Sequence, residues 1–575
     1  MLKKSMRTCL LLIVVMTLIF TSACKGDVNE VVAKVDDWEY SSSATREDTG
    51  FSSLSKSNAS FNIGATPDMA MGVQSESGYL GFSVGGAMDI NNFRENIKNQ
   101  YLPLTTDITH EGMFYEYTFD TGKTEESTEL FSPSYSYAVS NDPISGEPEY
   151  YLSVGLNSNI KESDFIRKKL NLVVLLDISG SMSSRFDSYY YDDPFAVSEG
   201  EDKTKMQIAN EAVNVLIDQL KDDDRFGMVL FDDTSYLAKP LNLVSETDMD
   251  AIKEHILEIK ENGGTNFEAG YIGATEIFDK FKNANQDEYE NRIIVLTDAM
   301  PNIGTTSRDD LLDYVQKNVG DNIYTTFVGI GVDFNSEFIQ TIGTVKGANY
   351  YSVHNSQEFK TRMGEQFEYM VTPLVFDLKL DVESDDYEIK AVYGSTEADK
   401  ATGNIMYVNT LFPAASTDTG EVKGGLVLLK LAQKSQGGGN ISLSVSYKDR
   451  NGESHSNSQS IEIQTREGDY YPNTGIRKGI ALTRYVNTLQ NWIMYERSQL
   501  DNFEITRDVG IVDFDCTQEQ IMFILGEHER QSMPLTVSGQ YKDTFAEMRA
   551  YLEKEINDIG DETMRQEIEM LNLLL

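Results

Sequence analysis

Asp177, Ser179 and Ser181 follow directly on an apolar run, residues 172–176, in the order Asp-Ile-Ser-Gly-Ser. This spacing brings one carboxylate and two hydroxyls onto a single turn at the carboxyl end of a strand. Asp supplies charge, and each Ser supplies a neutral oxygen. Hard divalent cations such as Mg²⁺ take oxygen ligands in near-octahedral order. Gly180 lets the backbone turn sharply between the two hydroxyls. The chemistry on offer is coordination of a hard cation. The same residue types also build ordinary polar loops, so the surrounding elements must decide.

Those elements alternate. The run 172–176 is continuous enough for a central strand buried on both faces of a parallel sheet. Met206, Ala209, Val213, Leu216, Ile217 and Leu220 recur at helical spacing, and residues 226–231 read as the next strand. Met249, Ile252, Ile256 and Ile259 form a second stripe, and Phe267, Tyr271, Ala274, Phe278 and Phe281 a third. Runs 293–296 and 323–330 are further apolar strands, separated by a helix from about residue 307. The alternation over 170–371 predicts a doubly wound α/β domain with a mostly parallel sheet. Ligands of such sheets sit at the carboxyl ends of the strands.

Two more polar loops occur at such ends. Asn262-Gly263-Gly264-Thr265-Asn266 precedes the third helical stripe, and residues 293–297 run into Asp298. In this order the three pieces resemble the metal-ion-dependent adhesion site of von Willebrand factor type A (VWA) domains. The resemblance covers residues 170–371. It implies that Ser179, Ser181 and Thr265 ligate the cation largely directly. Asp177 and Asp298 would hold it directly or through waters. The small, hydroxyl-rich shell favours Mg²⁺ or Mn²⁺ over Ca²⁺, and the resemblance implies an Asp or Glu carboxylate from a protein partner at the open position. One departure is Ala299, where the family usually has Gly after the second aspartate.

An insertion lies beside the Asp177 turn. The next helix is expected soon after Ser181, yet about twenty extra residues run to Lys203. They include Tyr189, Tyr190, Tyr191, Asp192 and Asp193. Clustered tyrosines suit recognition, so this is a candidate partner-specificity loop. Alternatively one of its carboxylates caps the cation in cis, or the loop is simply an acidic surface.

The flanks divide by pattern. Residues 1–24 carry Lys3, Lys4 and Arg7, an apolar core from 10 to 20, and Thr21-Ser22-Ala23-Cys24. The core is too short for an ordinary membrane span and reads as a signal peptide. Its end resembles a bacterial lipobox, with Cys24 as the lipidated residue and Thr21 a departure from the usual aliphatic position; the alternative is plain secretion with cleavage after Thr21-Ser22-Ala23. Residues 25–77 read as a Ser-rich spacer. Residues 78–169 read as β-rich, with a short helix at 91–99 and strands at 81–84, 113–119 and 150–156. Residues 372–466 switch to period-two strands, a β-sandwich-like region, and 467–575 return to helical stripes. These flanks, including Ser83, Asp89 and Phe93, resemble those of bacterial VWA lipoproteins.

Composition excludes other classes. The net charge is −43, from 92 acidic against 49 basic residues, so no basic surface could serve nucleic acid. Three cysteines, Cys9, Cys24 and Cys516, make no disulfide framework. Cys516 reads as a buried structural thiol. His110, His255, His354, His455 and His528 form no zinc-hydrolase pattern, and there is neither a P-loop nor a nucleophile elbow. Glu527-His528-Glu529 reads as a solvated helix face. A non-enzymatic lipoprotein on the extracytoplasmic face of a bacterial membrane is expected. It would bind a protein partner through the cation, or serve as a regulatory or assembly subunit of a cell-envelope complex.

Overall fold

The computed structural model describes residues 34–41, 78–123, 128–143, 145–192, 203–281, 287–359, 364, 366–397, 404–434, 438–464, 466, 468–501, 525 and 527–575. Cys24, Cys516, Asp193 and most of the spacer lie outside them.

A seven-stranded sheet dominates the centre. Its order is Gly86–Ala87, Asn349–Val353, Ile323–Ile330, Tyr289–Thr297, Lys169–Asp177, Arg225–Phe231 and Ser235–Leu243. All neighbours are parallel except the last pair. Leu172 to Leu176 are fully buried, because helices cover both faces. The helices are Lys205–Ile217, Met249–Leu257, Phe267–Glu276, Arg308–Gly320 and Ser336–Gly343. The expected doubly wound architecture is therefore present. From Lys169–Asp177 the chain steps first to Arg225–Phe231 on one side and later to Tyr289–Thr297 on the other. The topological switch point thus lies at the ends of the strands carrying Asp177 and Asp298.

The two β-rich flanks form one unit. Strands Tyr79–Val84 and Asn157–Lys161 share an antiparallel six-stranded sheet with Val375–Glu383, Ile405–Ala414, Gly439–Asp449 and Ser454–Ile463. Ser134–Asn141 and Pro148–Gly155 share a four-stranded sheet with Tyr387–Tyr393 and Leu426–Gln433. Phe82, Leu152 and Val154 pack in one core with Leu378, Leu380, Val427 and Leu429. The α/β domain is thus inserted between two halves of a sandwich. Its own edge strand Gly86–Ala87 comes from the N-terminal half.

Two local expectations change. Residues 113–119 are not one strand: His110–Tyr115 is a helix, and only Thr118–Phe119 pairs as a strand. Thr109 caps the helix by accepting from Gly112 N, and apolar burial all round it hides the helical period. Nor is the whole of 25–77 spacer, because residues 34–41 run beside the Ser235–Leu243 edge. Glu39 N donates to Ala238 O at 2.8 Å, and the buried Lys239 ammonium reaches Asp37 Oδ2 at 3.1 Å. The Trp38 ring stacks on His255 with centroids 5.4 Å apart.

The C-terminal helices Thr474–Asp501, Gly539–Ile559 and Arg565–Leu574 bury Trp492, Leu482, Val486, Phe545 and Leu552. These pack with Phe93, Ile97 and Phe114 from the N-terminal helices. No helix among the described residues is long and apolar enough to cross a membrane.

Candidate metal centre

Asp177 is the last residue of its strand, and the chain turns at once into the short Gly180–Ser183 helical turn. Ser179 N donates to Asp177 Oδ1 at 2.9 Å, which folds the turn back on the carboxylate. The Ser179 and Ser181 hydroxyl oxygens stand 3.1 Å apart. Gly180 N donates to Gly263 O at 2.9 Å, and Asn262 N to Ile178 O at 2.6 Å. The Gly-Gly-Thr loop is thereby locked onto the Asp177 turn, with Thr265 two residues before the Phe267–Glu276 helix.

The third piece joins through Thr297. Its hydroxyl donates to Asp177 Oδ2 at 2.6 Å and accepts from Ala299 N at 2.8 Å. Ala299 reaches that geometry with φ of 60°, in the left-handed region that favours glycine. The missing glycine is therefore a strain and not a change of path. Asp177, at the end of its strand, and Ser179, Ser181, Thr265 and Asp298, in loops, all lie at the carboxyl end of the sheet, and all five are buried.

Sequence reasoning missed two charged members. Lys205 opens its helix, where the helix dipole disfavours a cation. Its buried ammonium donates to Asp298 Oδ2 at 2.9 Å and to Asp333 Oδ2 at 2.7 Å. Burial works to lower its pKa, but Asp298 and Asp333 outweigh that and raise it. Asp333 follows the Ile323–Ile330 strand, so it carries the same strand-end signal as Asp177 and Asp298.

The residues fit a divalent cation. Of three fully buried carboxylates, Asp177, Asp298 and Asp333, the last two share one lysine ammonium. Burial, then the neighbouring Asp298, pushes the Asp177 carboxyl up to about 7. Asp298 Oδ1 is buried with no hydrogen-bond partner among the described residues. Excess buried negative charge, an orphaned carboxylate oxygen and two adjacent hydroxyls together form a hard-oxygen donor set.

The tyrosine loop does not stand out into solvent. Tyr189 and Tyr191 are buried beneath a C-terminal segment, residues 527–532. Tyr189 OH donates to Asn96 Oδ1 at 2.8 Å and accepts from Arg530 Nη2 at 2.8 Å. Tyr191 OH donates to Glu529 Oε1 at 2.6 Å, and its carbonyl accepts from Gln531 Nε2 at 2.8 Å. Two described loop carboxylates are engaged too. Asp187 pairs with Arg185, and Asp192 Oδ1 accepts from Ser532 N at 2.8 Å. Two of the three candidate specificity tyrosines thus face their own chain. Glu527-His528-Glu529 is no solvated helix face either: it is non-helical, and His528 is buried against Phe338.

Residues 172–300 match the family described as von Willebrand factor type A domain. Among curated relatives, inter-alpha-trypsin inhibitor heavy chain H2 of Mus musculus is 24% identical over 244 residues, 42% of this chain and 24% of that protein. Heavy chain H1 of Sus scrofa is 26% identical over 223 residues, 37% of this chain and 22% of that one. The chain thus spans about a quarter of the length of these relatives. A solved von Willebrand factor type A protein from Catenulispora acidiphila is 17% identical, with TM-score 0.38, covering 63% of this chain and 81% of its own. Proximal thread matrix protein 1 from mussel byssus, solved with a zinc-occupied MIDAS motif, has 17% identity and TM-score 0.26, covering 36% of this chain and 49% of its own.

Proposed function

We propose that the von Willebrand factor type A domain carried by this chain is a metal-dependent protein-binding module on a bacterial cell surface. The observation behind this is the convergence of Asp177, Ser179, Ser181, Thr265 and Asp298 at one strand-end site with surplus buried negative charge. The small, hydroxyl-rich donor set favours Mg²⁺ or Mn²⁺ over Ca²⁺. A bound ion of this kind supplies an electrophilic centre for a partner's Asp or Glu carboxylate. The chain's own residues position it. Ser179, Ser181 and Thr265 present neutral oxygens, which do not themselves offset the ion's charge. Lys205 neutralises part of Asp298, in the same direction. The donor set supports a binding role rather than catalysis.

Cys24 is proposed as the lipid anchor. Nine residues, 25–33, separate it from the segment clamped to the Ser235–Leu243 edge. Fully extended, they reach about 30 Å. The domain would then sit close above the membrane on its extracytoplasmic side. Cross-linking on whole cells with and without EDTA tests the reading. An EDTA-sensitive cross-link to a protein partner, lost in Asp177→Ala, is the expected result. Partners captured equally with EDTA would refute it.

A further inference from the structure

The two oxygens of Asp298 have different surroundings. Its Oδ2 accepts from the Lys205 ammonium at 2.9 Å, while its Oδ1 is buried with no hydrogen-bond partner among the described residues. One carboxylate is thus paired with a fixed positive charge and still has an oxygen to give a cation. Lys205 in turn is held by Asp333, whose carboxylate lies 2.7 Å from the ammonium. All three side chains are fully buried.

The backbone is shaped for this arrangement. Gly331 has φ of 87°, and a Cβ built on it would stand 2.8 Å from Lys205 Cε and 3.1 Å from Asp333 Oδ1. A side chain there would push the lysine stem aside. Lys205 N donates to Ser184 O at 2.9 Å, which ties the start of its helix to the end of the Ser181 turn. Asn335 N donates to Asp298 O at 3.0 Å, and Tyr190 N to Asp333 Oδ2 at 3.1 Å. Backbone contacts therefore hold the ammonium and its two carboxylates in place.

Burying an ammonium at a helix start is unfavourable on two counts, desolvation and the helix dipole. A methionine opposite an asparagine would fill similar space without either. What the charged pair adds is a positive charge on a proposed metal ligand and a negative charge that keeps it there. Burial raises the Asp333 carboxyl above its ordinary range; Lys205 opposes this, and the charge of Asp298 adds to it. The two carboxylates thus repel each other across the ammonium that joins them. The energy between a fixed charge and a bound ion scales with the ion's own charge. The ammonium therefore disfavours a trivalent ion half as much again as a divalent one in the same place. Hard trivalent ions such as La³⁺ also seek oxygen donors, so the ligands alone do not exclude them.

We propose that Lys205 and Asp333 select the valence of the ion at the metal centre: the ammonium on Asp298 favours divalent over trivalent cations, and Asp333 holds it in that position. This rests on the metal-site reading above. Other charges stand nearby. Asp232 and Asp233 accept from Asn262 Nδ2 and Gly264 N at 2.8 Å, and Arg530 donates to Tyr189 OH at 2.8 Å. These are common to wild type and to the variants that test the proposal.

Mn²⁺ and La³⁺ are the probes, added to the full chain and followed by water-proton relaxation. The Mn²⁺ lost in Asp177→Ala defines the site. The free La³⁺ that displaces half of it, at saturating Mn²⁺, measures the preference. Lys205→Met is expected to need roughly tenfold less La³⁺ than wild type, and Asp333→Asn roughly tenfold more. Lys205→Met combined with Asp333→Asn removes one charge of each sign, so the double variant is expected within about threefold of wild type. A pair that only fills space would alter stability in all three variants and leave the La³⁺ requirement unmoved. That result, or a double variant no closer to wild type than the single ones, overturns the selector, and loss of Mn²⁺ in Asp177→Ala leaves the metal site standing. If Asp177→Ala binds Mn²⁺ like wild type, the site and the selector both fall. Should Lys205→Met not fold alone, Asp333→Asn and the double variant decide by the same criteria.

Discussion

The Lys205 ammonium lies 2.9 Å from Asp298 Oδ2, and neither side chain is exposed to solvent. Asp333 completes the triad at 2.7 Å from the same ammonium. One cation therefore serves two buried carboxylates, beside a third, Asp177, whose pKa burial and Asp298 raise.

Removing that ammonium separates its role from the metal's. Breaking a buried pair from one side costs about 3–5 kcal/mol, because the remaining charge is stranded. Lys205→Met is thus expected to unfold at lower temperature without metal. It should also regain more stability on adding Mg²⁺ than wild type does, since a divalent ion supplies the missing charge. Thermal unfolding with Mg²⁺ and with EDTA measures both. Equal Mg²⁺ stabilisation of the two proteins would falsify the shared-charge account.

Asp177→Ala should abolish Mg²⁺ binding while leaving the domain folded. The buried carboxyl is held in an environment that opposes its ionisation, so its loss relieves repulsion with Asp298 and removes an acceptor of Ser179 N and Thr297 OH. Isothermal titration and circular dichroism give the two readouts. Unchanged Mg²⁺ affinity in the variant would contradict the assignment of Asp177.

Ala299 makes a balance of opposing terms testable. Left-handed backbone costs an L-residue about 1–2 kcal/mol. Glycine there relieves that strain, but it loses about 0.5–1 kcal/mol in chain entropy and about 0.8 kcal/mol for a buried methyl group. Ala299→Gly is accordingly expected within about 1 kcal/mol of wild type, with metal affinity intact. Ala299→Val adds a branch at a position where β-branched residues are strongly disfavoured, and it should cost about 2 kcal/mol or more. Urea denaturation decides; equal stability of the Val variant would argue against the left-handed geometry.

Acid should weaken the packing around His110. Burial lowers its imidazole to about 4, with Asn487 only partly opposing. The folded pKa is depressed below the unfolded value of about 6.5, so the unfolded chain binds more protons between them. Stability from this group is present above about 6.5 and is lost as pH falls toward 4. His110→Gln should show a shallower loss than wild type between pH 7 and 5 in denaturant titrations. Identical pH slopes would rule the histidine out as the source.

The α/β domain was legible because its signals are local. A buried parallel strand needs an unbroken apolar run, and an amphipathic helix shows its period within a dozen residues. A strand-end Asp-x-Ser-x-Ser needs only five consecutive positions. Asp333 carried the same strand-end signal and could have been found by it. His110–Tyr115 was harder, because a short helix buried all round has no polar face to mark its period.

The sequence alone determined the oxygen donor set and the order of elements that presents it. Those depend on residue type and short spacing, and residues 172–300 fold around them. Tertiary structure alone decided what surrounds the set. Strands on either side of the α/β domain became one sandwich, Lys205 turned its charge inward between Asp298 and Asp333, and Glu529 came to rest against Tyr191 and Asn302. Glu529 and Asn302 are 227 positions apart in the chain. Their meeting is set by how the C-terminal helices dock on Phe93 and Phe114, an apolar fit that no local pattern around Glu529 encodes.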